Sequence, residues 1–326
     1  MQLHGANPEN LYSYFNIKLP EKILDFSTNT NILKHDITLE NSRFNYLISN
    51  YPDYECLELR KIISERENIP LKNILFTNGI NEAIFLLSRV LESKTAILQP
   101  NYTEYKRAFK NASDIFNLDE SADFNNVIIS NPCNPTGFFI NNLYDFTKTF
   151  QNTNFIIDES YIDFLLYSER EKFKLSKNII ILKSLTKIFH LSGVRIGYVI
   201  APEEIISSLK NQQPSWSVNS IAQELAKIFL RDENFYSKTR DFYKKNTPEF
   251  KSLIKNYGFK ISESSVHYFL IRVNNDFNII KKLLLNGIAV RHTRNFPGLN
   301  GNYIRVATRF KDENIFFAES LREKML

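Results

Sequence analysis

Five short runs in this chain are almost wholly apolar: TAIL at 95–98, NVIIS at 126–130, NFIID at 154–158, NIIIL at 178–182 and GYVIA at 197–201. A strand with one face in water alternates apolar and polar residues, and these runs do not. Unbroken apolar strands belong to mostly parallel sheets covered by helices on both faces. Helix-like segments lie among them, NEAIFLLSRVLES at 81–93 and NNLYDFTKTFQN at 141–152. The alternation predicts an α/β layer fold, in which ligands gather beyond the carboxyl ends of the strands. After about residue 202 the pattern changes. EEIISSLKN and the stretch from NSIAQ to KNYG read as long helices. VHYFLIRV at 266–273, NIIKKLLLNG at 278–287, IAVRH at 288–292 and YIRVATR at 303–309 read as strand, helix, strand and strand. That is a smaller α+β lobe, and with no Gly/Ser linker the two lobes should pack closely.

Several function classes are disfavoured. The 41 basic and 36 acidic side chains leave a net charge of +5, too small and too evenly spread for a nucleic-acid surface. Cys56 and Cys133 are the two cysteines and lie far apart, so neither a disulfide framework nor a zinc site is expected. The five histidines fall at no metal-ligand spacing. No basic segment followed by an apolar one opens the chain, and no apolar run approaches the roughly 18 residues of a membrane span. The expectation is a cytoplasmic protein with no metal, nucleic-acid or membrane partner.

Polar residues cluster just after the apolar runs. Asp158 closes the run at 154–158 and is followed by Glu159, Ser160 and Tyr161. A carboxylate there loses solvation unless a cation faces it. In NPCNPTG at 131–137, two prolines fix the backbone around Asn134. Gly79, Ile80 and Asn81 open a helix-like segment, where free backbone N–H groups favour an anion. SLTKIFHLSGVR at 184–195 offers two hydroxyls, Lys187 and, eight residues on, Arg195. Taken alone, Lys187 is a solvent-facing lysine at a strand end. Taken together, the Gly79 loop, Ser184, Thr186 and Arg195 can hold a phosphate, and Lys187 can form a Schiff base with an aldehyde. Asp158 can face a pyridinium nitrogen, and Asn134 and Tyr161 a phenolic oxygen. These are the chemical features of pyridoxal phosphate.

In this order and spacing, NPCNPTG, DESYIDF and SLTKIFHLSGVRIGY resemble fold-type-I pyridoxal-phosphate enzymes of the class I/II aminotransferase superfamily. The resemblance extends over nearly the whole chain. It implies a large lobe with a mostly parallel, helix-covered sheet and a smaller α+β lobe. The implied division is an N-terminal arm over 1–40 packing on the small lobe and active site, a cofactor domain over 41–205, and an interdomain helix with the small domain over 206–326. It also implies Lys187 as the cofactor lysine, Asp158 on the ring nitrogen, and Asn134 and Tyr161 on the ring oxygen. Ser184, Thr186, Arg195, Gly79, Ile80 and Asn81 hold the phosphate, and Tyr102 stacks on the ring. Tyr51 matches a tyrosine that reaches the phosphate of a partner subunit, so a homodimer is implied.

Such enzymes choose their reaction by which bond to Cα they align, and the groups gripping the substrate decide that. Arg291 and Arg305, both on strand-like segments, are the substrate arginines the resemblance implies, with Arg309 a lesser third. Four stretches resemble threonine-phosphate decarboxylases of cobalamin side-chain synthesis: HGAN at 4–7, DFSTNTN at 25–31, WSVN at 216–219 and NFPGL at 295–299. They imply His4 and Asn29 in the substrate pocket. Ala6 departs from the second glycine of HGGN, Ile32 from a proline, and the segment 116–126 is short. A basic residue near Asn302 is missing, while Arg294 is new nearby and is expected to join Arg291 and His4 in holding the substrate phosphate. The leading expectation is decarboxylation of L-threonine O-3-phosphate or L-serine phosphate. The alternatives are an aminotransferase of the histidinol-phosphate type and a catalytically silent binding protein.

Overall fold

The computed structural model describes residues 5–35, 37, 39–167 and 175–325. The first strand, β1 (Leu24–Asp25), belongs with the small lobe. The next seven are β2 (Ile74–Thr77), β3 (Thr95–Leu98), β4 (Ser113–Ile115), β5 (Asn126–Ser130), β6 (Asn154–Asp158), β7 (Ile179–Ser184) and β8 (Gly197–Ile200). They form one sheet in the order β2-β8-β7-β6-β5-β3-β4. β8 runs antiparallel to β2 and β7, and the other pairs are parallel.

The unbroken apolar runs have a direct cause. Successive side chains of a strand point to opposite faces, and here both faces are buried. Val127, Ile129, Phe155, Ile157 and Ile181 enter one core. Ile128, Ile156, Ile180, Leu182 and Val199 enter the other. The helix Gly79–Val90 covers the second face with Ala83, Ile84 and Leu87.

Three expectations are corrected. Of the segment 141–152, only Leu143–Thr147 is helical. The Thr147 and Thr149 hydroxyls donate to the carbonyls of Tyr144 and Phe146 at 2.8 and 2.7 Å, side-chain bonds that compete with helix propagation. The long helical stretch divides into Ser220–Leu230 and Glu233–Asn256, because the Asp232 side chain caps the second helix by accepting from Phe235 N. The remaining strands are β9 (Tyr268–Arg272), β10 (Ile288–Ala289), β11 (Arg291–His292) and β12 (Tyr303–Ala307). IAVRH is therefore two strands in two sheets. β10 pairs in parallel with β1, while β11 joins the antiparallel order β11-β12-β9.

The N-terminal segment is built into this lobe. Tyr12 Oη donates to Leu284 O at 3.0 Å, and the Phe26 ring lies 4.7 Å from that of Phe317. Among the described residues, no helix is long and apolar enough to cross a membrane, and no group of three or more His, Cys, Asp or Glu side chains could hold a metal ion.

Ile156 is fully buried in β6 at the middle of the sheet. Ile156→Ala should destabilise the protein by about 2–5 kcal/mol through lost burial and the cavity left behind. Urea unfolding checks this: the midpoint falls and the slope stays unchanged.

Candidate active site

β5, β6 and β7 run parallel, so their carboxyl ends reach one edge of the sheet. β6 brings Asp158 there and β7 brings Ser184. Asn134 stands in the turn after β5, and the helix Gly79–Val90 begins just beyond β2. Two adjoining hollows open at this edge, an inner one and an outer one. Tyr102, Asn134, Tyr161, Lys187 and Arg195 line both.

In the inner hollow Asp158 is held firmly. Its Oδ2 accepts from Tyr105 Oη at 2.9 Å. Its Oδ1 accepts from Ser160 N at 2.9 Å and Ser160 Oγ at 2.5 Å. Burial raises its carboxyl above the usual range, opposed by these bonds and by the charge of Lys187. Lys187 is shifted the other way. Burial, then repulsion from Arg195 and Arg305, brings its amine down to about 8, although Asp158 favours the charged form. Such a lysine is a far better nucleophile near neutral pH than a solvent-exposed one.

The far end of the inner hollow is a cationic cradle. Ser184 Oγ and Thr186 Oγ1 share a hydrogen bond of 2.8 Å. Arg195 Nη1 donates to Ser192 O at 3.0 Å, and its guanidinium lies against the start of the Gly79–Val90 helix. Gly79, at φ +72°, permits this approach: a Cβ there would stand 2.7 Å from Arg195 Nη2. Helix N–H groups, two hydroxyls and a guanidinium suit a phosphate. The buried carboxylate suits a protonated ring nitrogen, and the amine between them suits an aldehyde. By its donor set, the inner hollow fits pyridoxal phosphate.

The outer hollow carries a second set of cations. Arg291 and Arg305 are register partners across β11 and β12 and are both buried. Arg305 donates to Asn134 Oδ1 at 2.5 Å and to Ser27 O at 2.6 Å, and its buried Nε has no protein partner. Arg291 Nη2 donates to Asn295 Oδ1 at 2.9 Å. Burial, then the charge of Arg305, lowers the Arg291 pKa; burial does the same to Arg305. Asn29 is buried in the wall of this hollow.

The other expected residues lie apart from this cluster. Arg294 Nε donates to Asp276 Oδ1 and its Nη2 to Asn275 Oδ1, both at 2.8 Å, and it lines neither hollow. Arg309 pairs with Glu313 at 3.0 Å. Tyr51 is 81% exposed, and its ring lies tilted against that of Trp216 with centroids 4.6 Å apart. His4 lies outside the described residues. Sequence reasoning missed Tyr105, Ser160 and Phe296. Ser160 had a usable signal, since a carboxylate commonly accepts from the backbone two residues on. Tyr105 carries no local pattern that marks it, while Phe296 lies in the NFPGL stretch at 295–299, which assigns it no role of its own.

A family model described as aminotransferase class I and II matches residues 21–315. The threonine-phosphate decarboxylase of Salmonella typhimurium is 27% identical over 98% of this chain and 95% of its own length. The histidinol-phosphate aminotransferase of Clostridium novyi is 31% identical over 82% of this chain and 81% of its own. A solved L-threonine-O-3-phosphate decarboxylase from Porphyromonas gingivalis shares the fold, with a TM-score of 0.81 at 24% identity over 93% of this chain and 99% of its own. With the inner hollow and the family model in agreement, the chain belongs to the class I and II aminotransferase family, whose cofactor is pyridoxal 5′-phosphate.

Proposed function

We propose that this chain decarboxylates a small O-phosphorylated amino acid, L-threonine O-3-phosphate or L-serine phosphate. The observation that carries the reading is the buried pair Arg291 and Arg305 on neighbouring strands of one cleft. Two adjacent buried cations repel each other and favour a ligand with two anionic groups. A decarboxylase must hold the substrate's carboxylate and its phosphate at once. The N-terminal segment further supports a short substrate. Gly5 lies so close to Arg291 that a Cβ would stand 3.3 Å from its Cδ, and Ala6 N donates to Ser27 Oγ at 3.2 Å. The product would serve cobalamin side-chain synthesis.

In this reading Arg305, beside Asn134 and Tyr161, holds the carboxylate at the reacting carbon. Arg291 holds the phosphate, with His4 as a further donor. Pyridoxal phosphate, when bound, supplies an electron sink for the pair left at Cα when a bond there breaks. Asp158 keeps a proton at its ring nitrogen, Asn134 and Tyr161 hold its ring oxygen, and Tyr102 covers one face. Gly79, Ile80, Asn81, Ser184, Thr186 and Arg195 hold its phosphate. Lys187 carries the proton that returns to Cα after CO2 departs. The proposed functional unit is a homodimer in which Tyr51 serves the partner's cofactor phosphate; Tyr51 lines neither hollow of its own chain.

A second reading, an aminotransferase of the histidinol-phosphate type, is favoured by the 31% identity to such an enzyme. There Lys187 moves a proton from Cα instead. One assay separates the two. Purified holoenzyme given threonine phosphate and no keto acid should release CO2, and Arg305→Lys should lower kcat/KM by about 10²-fold or more through loss of a buried charge-assisted fork. Amino transfer from glutamate to a keto acid without any CO2 release would establish the second reading.

The Lys187 amine at about 8 gives a pH prediction. Cofactor capture needs the neutral amine, whose share grows as pH rises through that value. The rate of cofactor uptake by the apo protein should rise roughly tenfold per unit below pH 7 and level off above about pH 9. Stopped-flow absorbance checks this. An ordinary lysine would keep climbing to beyond pH 10.

A further inference from the structure

We infer that Phe296 sets a preference for a substrate bearing a methyl group on its β-carbon, and so for threonine phosphate over serine phosphate. The inference rests on the proposed decarboxylation of a phosphorylated β-hydroxy amino acid. Among the described residues lining the outer hollow, Phe296 is the only large side chain made wholly of hydrocarbon. The rest of that wall is Gly, Ala or side chains that carry a polar group, Tyr102 and Tyr161 among them. Phe296 is 3% exposed and packs against Leu270, Leu299 and Tyr303, so its ring has little room to turn. Its loop is fixed as well: Phe296 N donates to Thr293 O at 3.2 Å, and Leu299 N donates back to Phe296 O at 3.1 Å.

The ring also stands at a defined place relative to the phosphate site. The Arg291 guanidinium carbon lies 5.1 Å from the ring centroid, and Arg291 Nη2 is tethered to Asn295, the residue before Phe296. In a phosphate ester of this kind the β-carbon is two bonds from phosphorus. A phosphate held by Arg291 therefore brings the β-carbon substituent to the wall that Phe296 forms. A methyl group there leaves water for an aromatic edge, whereas serine phosphate leaves the same contact empty.

The test is CO2 release by the holoenzyme from each phosphorylated amino acid, for wild type, Phe296→Ala and Phe296→Leu. The readout is the ratio of the two kcat/KM values, in which the fraction of folded, loaded enzyme cancels; a merely structural role for Phe296 would not move it. The wild type should favour threonine phosphate by about tenfold or more, the usual range for one methyl group in an apolar site. Phe296→Ala should bring the ratio close to one, mainly by loss on threonine phosphate, with Phe296→Leu between. CO2 release with an unchanged ratio in Phe296→Ala, or a wild type without the preference, overturns the inference and leaves the decarboxylase reading in place. CO2 release from neither substrate by the wild type overturns both.

Discussion

Four cations, Lys187, Arg195, Arg291 and Arg305, line one pair of hollows in which Asp158 is the sole carboxylate among the described lining residues. Such an excess of positive charge, with Arg291 and Arg305 buried and Lys187 and Arg195 half-buried, is costly until anions arrive. It accounts for the lowered Lys187 amine, which Arg195 and Arg305 depress after burial. It also suits the cleft to ligands with several negative charges: the cofactor's phosphate in the inner cradle and, under the proposed function, a carboxylate and a second phosphate in the outer hollow. The fold must hold these groups together against their repulsion. It does so by pairing Arg291 and Arg305 across β11 and β12 and by seating Lys187 just after β7, which lies between two apolar layers.

The two hollows divide the work. The inner one is made by the large sheet and the helix opening at Gly79, and its chemistry is common to a whole family. The outer one is closed by β11, β12 and the N-terminal segment, which contribute Arg291, Arg305, Gly5 and Ala6. Asn134 joins the two: it lines both hollows and accepts from Arg305. A change in reaction or substrate can therefore arise in the outer wall while the cofactor machinery stays as it is.

Much of this was legible in the chain. The five apolar runs announced the strands because both of their faces are covered. The direction of β8 was not legible, since an apolar run looks the same either way round. The segment 141–152 misled because its apolar spacing is helical while its threonines bond locally to the backbone. That Lys187, Asp158, Asn134 and the Gly79 loop meet at one edge could be read because each ends a strand or lies within a few residues of a strand's end, and parallel strands bring their ends together. Arg294 shows the opposite case. A guanidinium can turn either way, and only the tertiary position of Asp276 draws it from the cleft. Tyr105 likewise meets Asp158 from 53 residues away, which no local pattern records.

In the proposed reaction the outer cations hold the substrate so that its carboxylate, not its Cα hydrogen, is aligned for loss. The most direct measurement is a structure of the holoenzyme with threonine phosphate, or with a non-reacting analogue of it. The proposed decarboxylation requires the carboxylate on Arg305, the phosphate on Arg291, and the Cα–carboxylate bond perpendicular to the cofactor ring. A Cα–H bond perpendicular to the ring, with the carboxylate lying in its plane, would contradict it.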